Sequence, residues 1–171
     1  MPYNVIEFES EKYPEFQTKG FAAKYIFPFA KEVLKGKGLD IGCSKKEWAF
    51  PGSMPIDLIF DDEWHAMNLP NKKFDYIFSS HCLEHLNDWV RVLDYWSTKI
   101  KTNGVLFLYL PHYSQKYWRP WNNNKHVNVL TPEILRDYLE ANNWNKILIS
   151  GKDLYNSFAV CAEKGHTSFY D

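Results

Sequence analysis

Cysteine is scarce in this chain. Cys43, Cys82 and Cys161 are its only three, an odd number with no C-x-x-C pair among them. That argues against a disulfide framework and fits a reducing compartment, the cytoplasm. An excess of either charge is also lacking: 20 Lys and Arg stand against 21 Asp and Glu, for a net charge of −1. A protein that grips nucleic acid through a broad basic face needs clustered cations to neutralise phosphates, so no nucleic-acid partner is expected. No apolar run approaches the roughly 20 residues of a membrane-spanning helix, and runs such as GVLFLYLP have the length of a strand. The opening MPYNVIEFESEKYPEF carries acids and no apolar stretch, unlike a signal peptide. There is no internal repeat and no biased tract. G-x-G-x-x-G is absent too, which speaks against a dinucleotide fold that must cradle a pyrophosphate.

What the chain has is apolar material. Hydrophobic residues make up 45% and aromatics 18% of 171 residues, enough for one domain with a real core. We expect a single domain over 1–171, with 1–35 as an N-terminal helix or lid and 36–171 as the core. Residues 18–35 carry Phe21, Tyr25, Phe29 and Val33 at helical spacing, with Pro28 set to kink or split the helix. LDIGC (39–43), MPIDL (54–58), FDYIFSS (74–80) and VLFLYLP (105–111) read as strands. Residues 81–100 place Leu83, Leu86, Val90, Leu93 and Trp96 on one helical face. TPEILRDYLEANNW (131–144) opens with a Thr cap and a Pro at the first helical position. KILIS and SFAVCAEK close the chain as an antiparallel pair. Strands alternating with helices predict a doubly wound α/β domain with a mostly parallel, seven-stranded, Rossmann-like sheet.

In such a sheet ligands sit beyond the carboxyl ends of the strands, at the switch point. The residues there are Gly42-Cys43-Ser44, Asp57-Leu58, Ser79-Ser80-His81 and Pro111-His112. Gly42 lets a ligand approach the backbone. An acid at the tip of the neighbouring strand, Asp57, can accept from both hydroxyls of a ribose, or can simply cap its own turn.

These pieces, in this order, resemble the small class I S-adenosylmethionine-dependent methyltransferases. The resemblance rests on LDIGC with a short link to IDL, then WHAMNLPNKKFDYIFSSHCLEHLNDW, TNGVLFLYLP and HVNVLTPEILRDYLEANNW, and covers roughly residues 36–150. It implies a methyltransferase that uses S-adenosylmethionine and releases S-adenosylhomocysteine. Asp40, Ile41, Gly42, Cys43 and Ser44 would form the turn under the methionine part. Asp57 would bind the ribose, Leu58 would pack on the adenine, and His65 and Ala66 would meet the adenine edge. Ser79, Ser80 and His81 would line the far side. The usual G-x-G-x-G loop is here GCSKK, with Ser44 and Lys46 at the later glycine positions, and His65 stands where the family places an acid.

FSSHCLEHLNDW (78–89) has a second reading. On a helix, His81-x-x-Glu84-His85 spells an inverted zinc-hydrolase motif. The strand running straight into it disfavours that reading, so no metal is assigned, and His85 is expected to make structural hydrogen bonds. For the methyl acceptor, His112 and His126 flank an aromatic loop and are the candidate bases. Tyr113, Tyr117, Trp118 and Trp121, with Arg119, form either a platform for a small molecule such as a saccharide or other hydroxyl or carboxyl compound, or a loop folded onto the core. Tyr3, Phe8, Tyr13 and Phe16 would lie over the same cleft. A fold retained as a non-catalytic scaffold is the alternative from another class.

Overall fold

The computed structural model describes residues 3–166, so the expected span of 1–171 extends at both ends beyond the described residues. A small hairpin comes first, β1 (Val5–Phe8) with β2 (Glu11–Pro14), and runs into a single helical turn, α1 (Glu15–Thr18). A 3₁₀ turn over Ala22–Tyr25 precedes α2 (Phe27–Val33). The main sheet follows: β3 (Gly38–Ile41), β4 (Met54–Ile56), β5 (Phe74–Ser80) and β6 (Ile100–Pro111) are parallel. α3 (Trp89–Lys99) joins β5 to β6, and α4 (Pro132–Ala141) leads to β7 (Trp144–Ile149). β8 (Ser157–Lys164) inserts antiparallel between β6 and β7. The order across the sheet is β4-β3-β5-β6-β8-β7.

Period-2 alternation along β5 and β6 divides the core. Ile77, Leu106, Leu108 and Leu110 join an aliphatic cluster with Val92, Leu93 and Trp96 of α3 and Leu135 and Leu139 of α4. Tyr76, Phe78, Phe107 and Tyr109 turn to the other face and pack with Phe50 and with Ala30 of α2. Layers on both faces explain why LFLYLP is apolar without a break. Phe78 stacks on Phe107 at 5.5 Å and on Phe50 at 5.2 Å, so aromatic area dominates one layer and branched aliphatics the other.

The mixed α/β class and its antiparallel end pair are as the sequence predicts, with three local differences. The main sheet has six strands among the described residues, where seven were expected. After β4 the chain makes turns on Asp57 and Asp61 and a lone bridge between His65 and Asn68. That stretch holds acids and Pro70 and lacks an alternating apolar run, so it has nothing to bury as an edge strand. Second, no single helix runs over 18–35: of the two outcomes expected at Pro28 the stretch is split, with a 3₁₀ turn ending at Tyr25 and α2 starting at Phe27. Pro28 occupies the first turn of α2, where its missing N–H costs no hydrogen bond. Third, the helix expected over 81–100 is broken. Leu83–His85 form a 3₁₀ turn, and α3 starts anew where the Asp88 carboxylate accepts from Arg91 N at 3.1 Å. His81 itself sits at φ +48, a conformation that ends the strand sharply.

Candidate active site

β3 lies between β4 and β5, so its tip is the point where the crossovers diverge to either side of the sheet. A cavity of about 720 Å³ opens there, within the range of small-molecule sites. One half is built largely from backbone. Gly42 has φ +85 and donates to the Ile56 carbonyl at 2.8 Å. A Cβ on Gly42 would stand 2.5 Å from Cys82 Cβ and Sγ, so only glycine fits between the loop and the start of the 82–85 turn. Ser44 also has a positive φ, +64, a conformation that favours glycine. Asp57 ties the parts together: Oδ2 accepts from Ser44 N at 2.8 Å and Oδ1 from Ile59 N at 3.0 Å. A carboxylate has about four acceptor sites, so two remain for a ligand.

The far wall of this half is held by α3. Trp96 Nε1 donates to the Ala66 carbonyl at 2.7 Å, and the Tyr95 hydroxyl accepts from Leu69 N at 2.8 Å. These bonds fix the turn carrying His65 and Ala66, both of which line the cavity. Leu58 lines it as well and is 64% exposed, an apolar surface free to pack on a ligand. The lysines of GCSKK turn onto aromatic rings: Lys45 Nζ lies 4.2 Å from the Trp48 ring centre and Lys46 Nζ 5.2 Å from that of Phe60.

The other half is built from side chains that converge from distant segments. His81, His85 and His126 line it, beside Tyr117 and Trp118. Behind them is Glu84, 1% exposed. Its Oε1 lies 3.9 Å from His81 Nδ1, 3.8 Å from His85 Nε2 and 3.9 Å from His126 Nε2. These contacts are too long for hydrogen bonds, and both Glu84 oxygens lack any hydrogen-bond partner among the described residues. They are not ion pairs either. Burial holds all three histidines below the usual imidazole value, His126 at about 4, and pushes the Glu84 carboxyl up to about 8. The segment bearing His126 is pinned onto Glu84 itself, since Val127 N and Asn128 N donate to the Glu84 carbonyl at 2.9 and 3.1 Å. Trp118 stacks flat on His126 at 5.1 Å.

The N-terminal segment walls the same space. Gln17, Thr18, Lys19 and Gly20 line the cavity. The hairpin docks on the aromatic loop through Lys116 N to Glu11 Oε2 and Tyr117 N to the Tyr13 hydroxyl, both 3.2 Å. Sequence reasoning anticipated a cover but not these four residues, which carry no motif. Trp48 was also unforeseen.

Of the residues expected at the cofactor, Ile41, Gly42, Ser44, Asp57, Leu58, His65, Ala66 and His81 line the cavity. Asp40, Cys43, Ser79 and Ser80 lie outside its lining. Asp40 is buried and its Oδ2 accepts from Phe50 N at 2.6 Å, bracing the loop from beneath. Cys43 packs inward. Ser79 Oγ donates to the Ile41 carbonyl at 2.8 Å and so links β5 to β3. Of the two candidate bases, His126 lines the cavity. His112 does not, and its Nδ1 pairs with Ser114 Oγ at 2.8 Å. Tyr117 and Trp118 reach the cavity, whereas Tyr113, Arg119 and Trp121 do not. Trp121 is 74% exposed, with the Arg119 guanidinium 5.6 Å from its ring centre.

A parallel sheet with a glycine turn at one strand tip and an acid at the next, both facing a single cavity, defines the class: a class I S-adenosylmethionine-dependent methyltransferase. The profile of a family described as Methyltransferase domain matches residues 15–149, and the chain belongs to that family. Solved structures share the fold. One is an S-adenosylmethionine-dependent methyltransferase from Archaeoglobus fulgidus, at 18% identity and a TM-score of 0.62, covering 88% of this chain and 98% of that one. Another is the N-methyltransferase NodS from Bradyrhizobium japonicum, in complex with S-adenosylhomocysteine, at 14% identity and a TM-score of 0.58, covering 88% of each chain. Human N-acetylserotonin methyltransferase, in complex with S-adenosylmethionine, matches at 11% identity and a TM-score of 0.60, over 89% of this chain and 55% of that one. No curated protein matches the chain by sequence. Among the described residues no helix is long and apolar enough to cross a membrane.

Proposed function

We propose that this chain acts as one domain and transfers the methyl group of S-adenosylmethionine to an oxygen of a small hydroxyl- or carboxyl-bearing acceptor. One observation carries the reading: both halves share one cavity of about 720 Å³, so donor and acceptor can meet with water displaced. When bound, S-adenosylmethionine supplies an electrophilic methyl carbon on a cationic sulfur.

The residues present suit that cofactor. Gly42 leaves the backbone open to the methionine part, and the free lone pairs of Asp57 suit the two ribose hydroxyls. Leu58 offers an apolar face for the adenine. His65 Nδ1 already accepts from Met67 N at 3.3 Å, so in the neutral ring the hydrogen is on Nε2. His65 would therefore donate to a ring nitrogen of the adenine, where an acid would accept from its amino group. The two lysines of the loop are held over Trp48 and Phe60; Lys45 lines the cavity and Lys46 does not. His81, His126, Tyr117 and Trp118 form the acceptor side, and the N-terminal segment closes it.

The test is thermal shift with S-adenosylhomocysteine on wild type and Asp57→Ala. At about 100 times Kd, ligand stabilises the native state by about 2.7 kcal/mol, which is roughly 5–10 °C for a chain of this size. Wild type should show that shift, and Asp57→Ala should lose it while remaining folded. An equal shift in both would remove the ribose assignment.

A further inference from the structure

Methyl transfer does not account for Glu84. A carboxyl group 1% exposed, with neither oxygen hydrogen-bonded among the described residues, is costly to keep unless something else occupies that position. Around it the chain has gathered imidazole nitrogens from two separate segments. One nitrogen of His85, one of His126 and a carboxylate oxygen of Glu84 all lie within 4.8 Å of one another. Bonds of about 2.0–2.2 Å to a tetrahedral zinc-like ion would set ligand atoms roughly 3.4 Å apart. The observed 3.8 and 3.9 Å from Glu84 Oε1 to the two histidines need only a small contraction.

The surroundings prepare these groups as ligands. His85 Nδ1 lies 2.7 Å from the Lys125 carbonyl, which can only accept. Nδ1 therefore carries the hydrogen, and the lone pair of Nε2 faces Glu84, the tautomer a metal-binding histidine needs. His126 is oriented by its stack on Trp118 and by the backbone bonds that fasten residues 127 and 128 to Glu84. His81 Nδ1, 3.9 Å from the same carboxylate oxygen, stands by as a further donor. His81, His85 and His126 all open on the cavity, so an ion here would keep positions free on the acceptor side.

We propose that Glu84, His85 and His126 bind one divalent transition-metal ion, and that the methyl acceptor is a molecule presenting two adjacent oxygens to that ion. Two imidazoles and one carboxylate with open positions suit Zn²⁺, Fe²⁺ or Co²⁺ better than the all-oxygen preference of Mg²⁺ or Ca²⁺. The ion supplies what the buried histidines lack as bases: it lowers the pKa of a bound oxygen acid, in the case of zinc-bound water to about 7. A hydroxyl held there would lose its proton to solvent at the open mouth before closure, and its electron pair would form the oxygen–carbon bond as the methyl–sulfur bond breaks, that pair passing to the sulfur of S-adenosylhomocysteine. The metal site stands on this geometry alone, whereas the acceptor class rests on the methyl-transfer reading as well. The H-x-x-E-H spelling thus regains its metal, through a 3₁₀ turn and His126 rather than through a hydrolase helix.

The experiment titrates chelator-treated protein with Co²⁺, following the visible spectrum and binding heat, for wild type, Glu84→Gln, His126→Ala and His85→Ala. His85 is partly exposed, so its variant should fold even if the buried ones do not. Wild type is expected to bind one ion per chain, and each folded variant at least about tenfold more weakly. No saturable uptake by wild type, or uptake unchanged in folded His85→Ala, overturns the metal site. Adding glycolate to the Co²⁺ form should shift its spectrum, and an unaltered spectrum overturns the two-oxygen acceptor. S-adenosylhomocysteine binding is measured on the same samples. If it fails while Co²⁺ binds, the methyl-transfer reading falls and the metal site stands. If it persists while Co²⁺ uptake fails, only the metal site falls.

Discussion

The two halves of the cavity are made in different ways. The cofactor half is a property of strand tips: Gly42, Ser44 and Asp57 end β3 and β4, and backbone N–H groups knit them together. The acceptor half is a property of side chains, gathered from the turn after β5 and from a loop some 40 residues further along the chain. A half made largely of backbone, with the Asp57 carboxylate fixed by two backbone N–H groups, is rigid, so it can serve a common cofactor. A half made of converging side chains can be rewritten to take a particular acceptor. Substitutions should therefore fall into two groups: those in the first half act on cofactor binding and folding together, and those in the second leave cofactor binding alone.

The largest effect should come from Gly42→Val. It combines a disallowed φ with a collision on Cys82, at a cost of at least about 2 kcal/mol. Its Tm should fall by several degrees and S-adenosylhomocysteine should no longer raise it. A variant that folds normally and still binds would break the claim that backbone shape defines this half. Asp40→Asn should come next and act through pH. Burial, with a smaller contribution from Asp57, raises Asp40 from 3.8 to about 7, although the Phe50 N–H opposes the shift. The folded pKa exceeds the unfolded one, so the unfolded chain gives up this proton first. Stability is then lost as pH climbs from 3.8 through about 7. Wild type and variant should melt alike near pH 4, and the variant should melt several degrees higher at pH 8. A gap that does not change with pH would contradict a proton held there.

In the acceptor half, Glu84→Gln should change S-adenosylhomocysteine affinity by no more than about twofold in calorimetry. A tenfold loss would mean the halves are coupled. The smallest effect belongs to Trp121→Ala, exposed and outside the cavity, which should alter stability by less than about 0.5 kcal/mol and binding not at all.

The same contrast explains what the sequence made legible. Strand tips follow from where an apolar run stops, so Gly42, Asp57 and His81 could be found without coordinates. Asp40 and Ser79 lie two residues before Gly42 and His81, yet each is taken up inside the protein, Asp40 by the Phe50 N–H and Ser79 by the Ile41 carbonyl, partners that no local spacing reveals. The α3 boundary was misread because Leu83 and Leu86 satisfy a helical stripe even though the chain breaks and recaps at Asp88. Meeting of Glu84 with His126 depends on a loop closing over 42 residues, which no local spacing encodes. The only local trace was the H-x-x-E-H spelling. The missing edge strand was foreshadowed by Asp61, Asp62, Glu63 and Pro70, residue types depleted in strands.

A crystal structure with S-adenosylhomocysteine tests the central claim most directly. The account predicts ribose hydroxyls within hydrogen-bonding distance of the Asp57 carboxylate, adenine against Leu58 and sulfur on the His81 side of Gly42. Ligand bound elsewhere, or in this cavity with its ribose turned from Asp57, would contradict it.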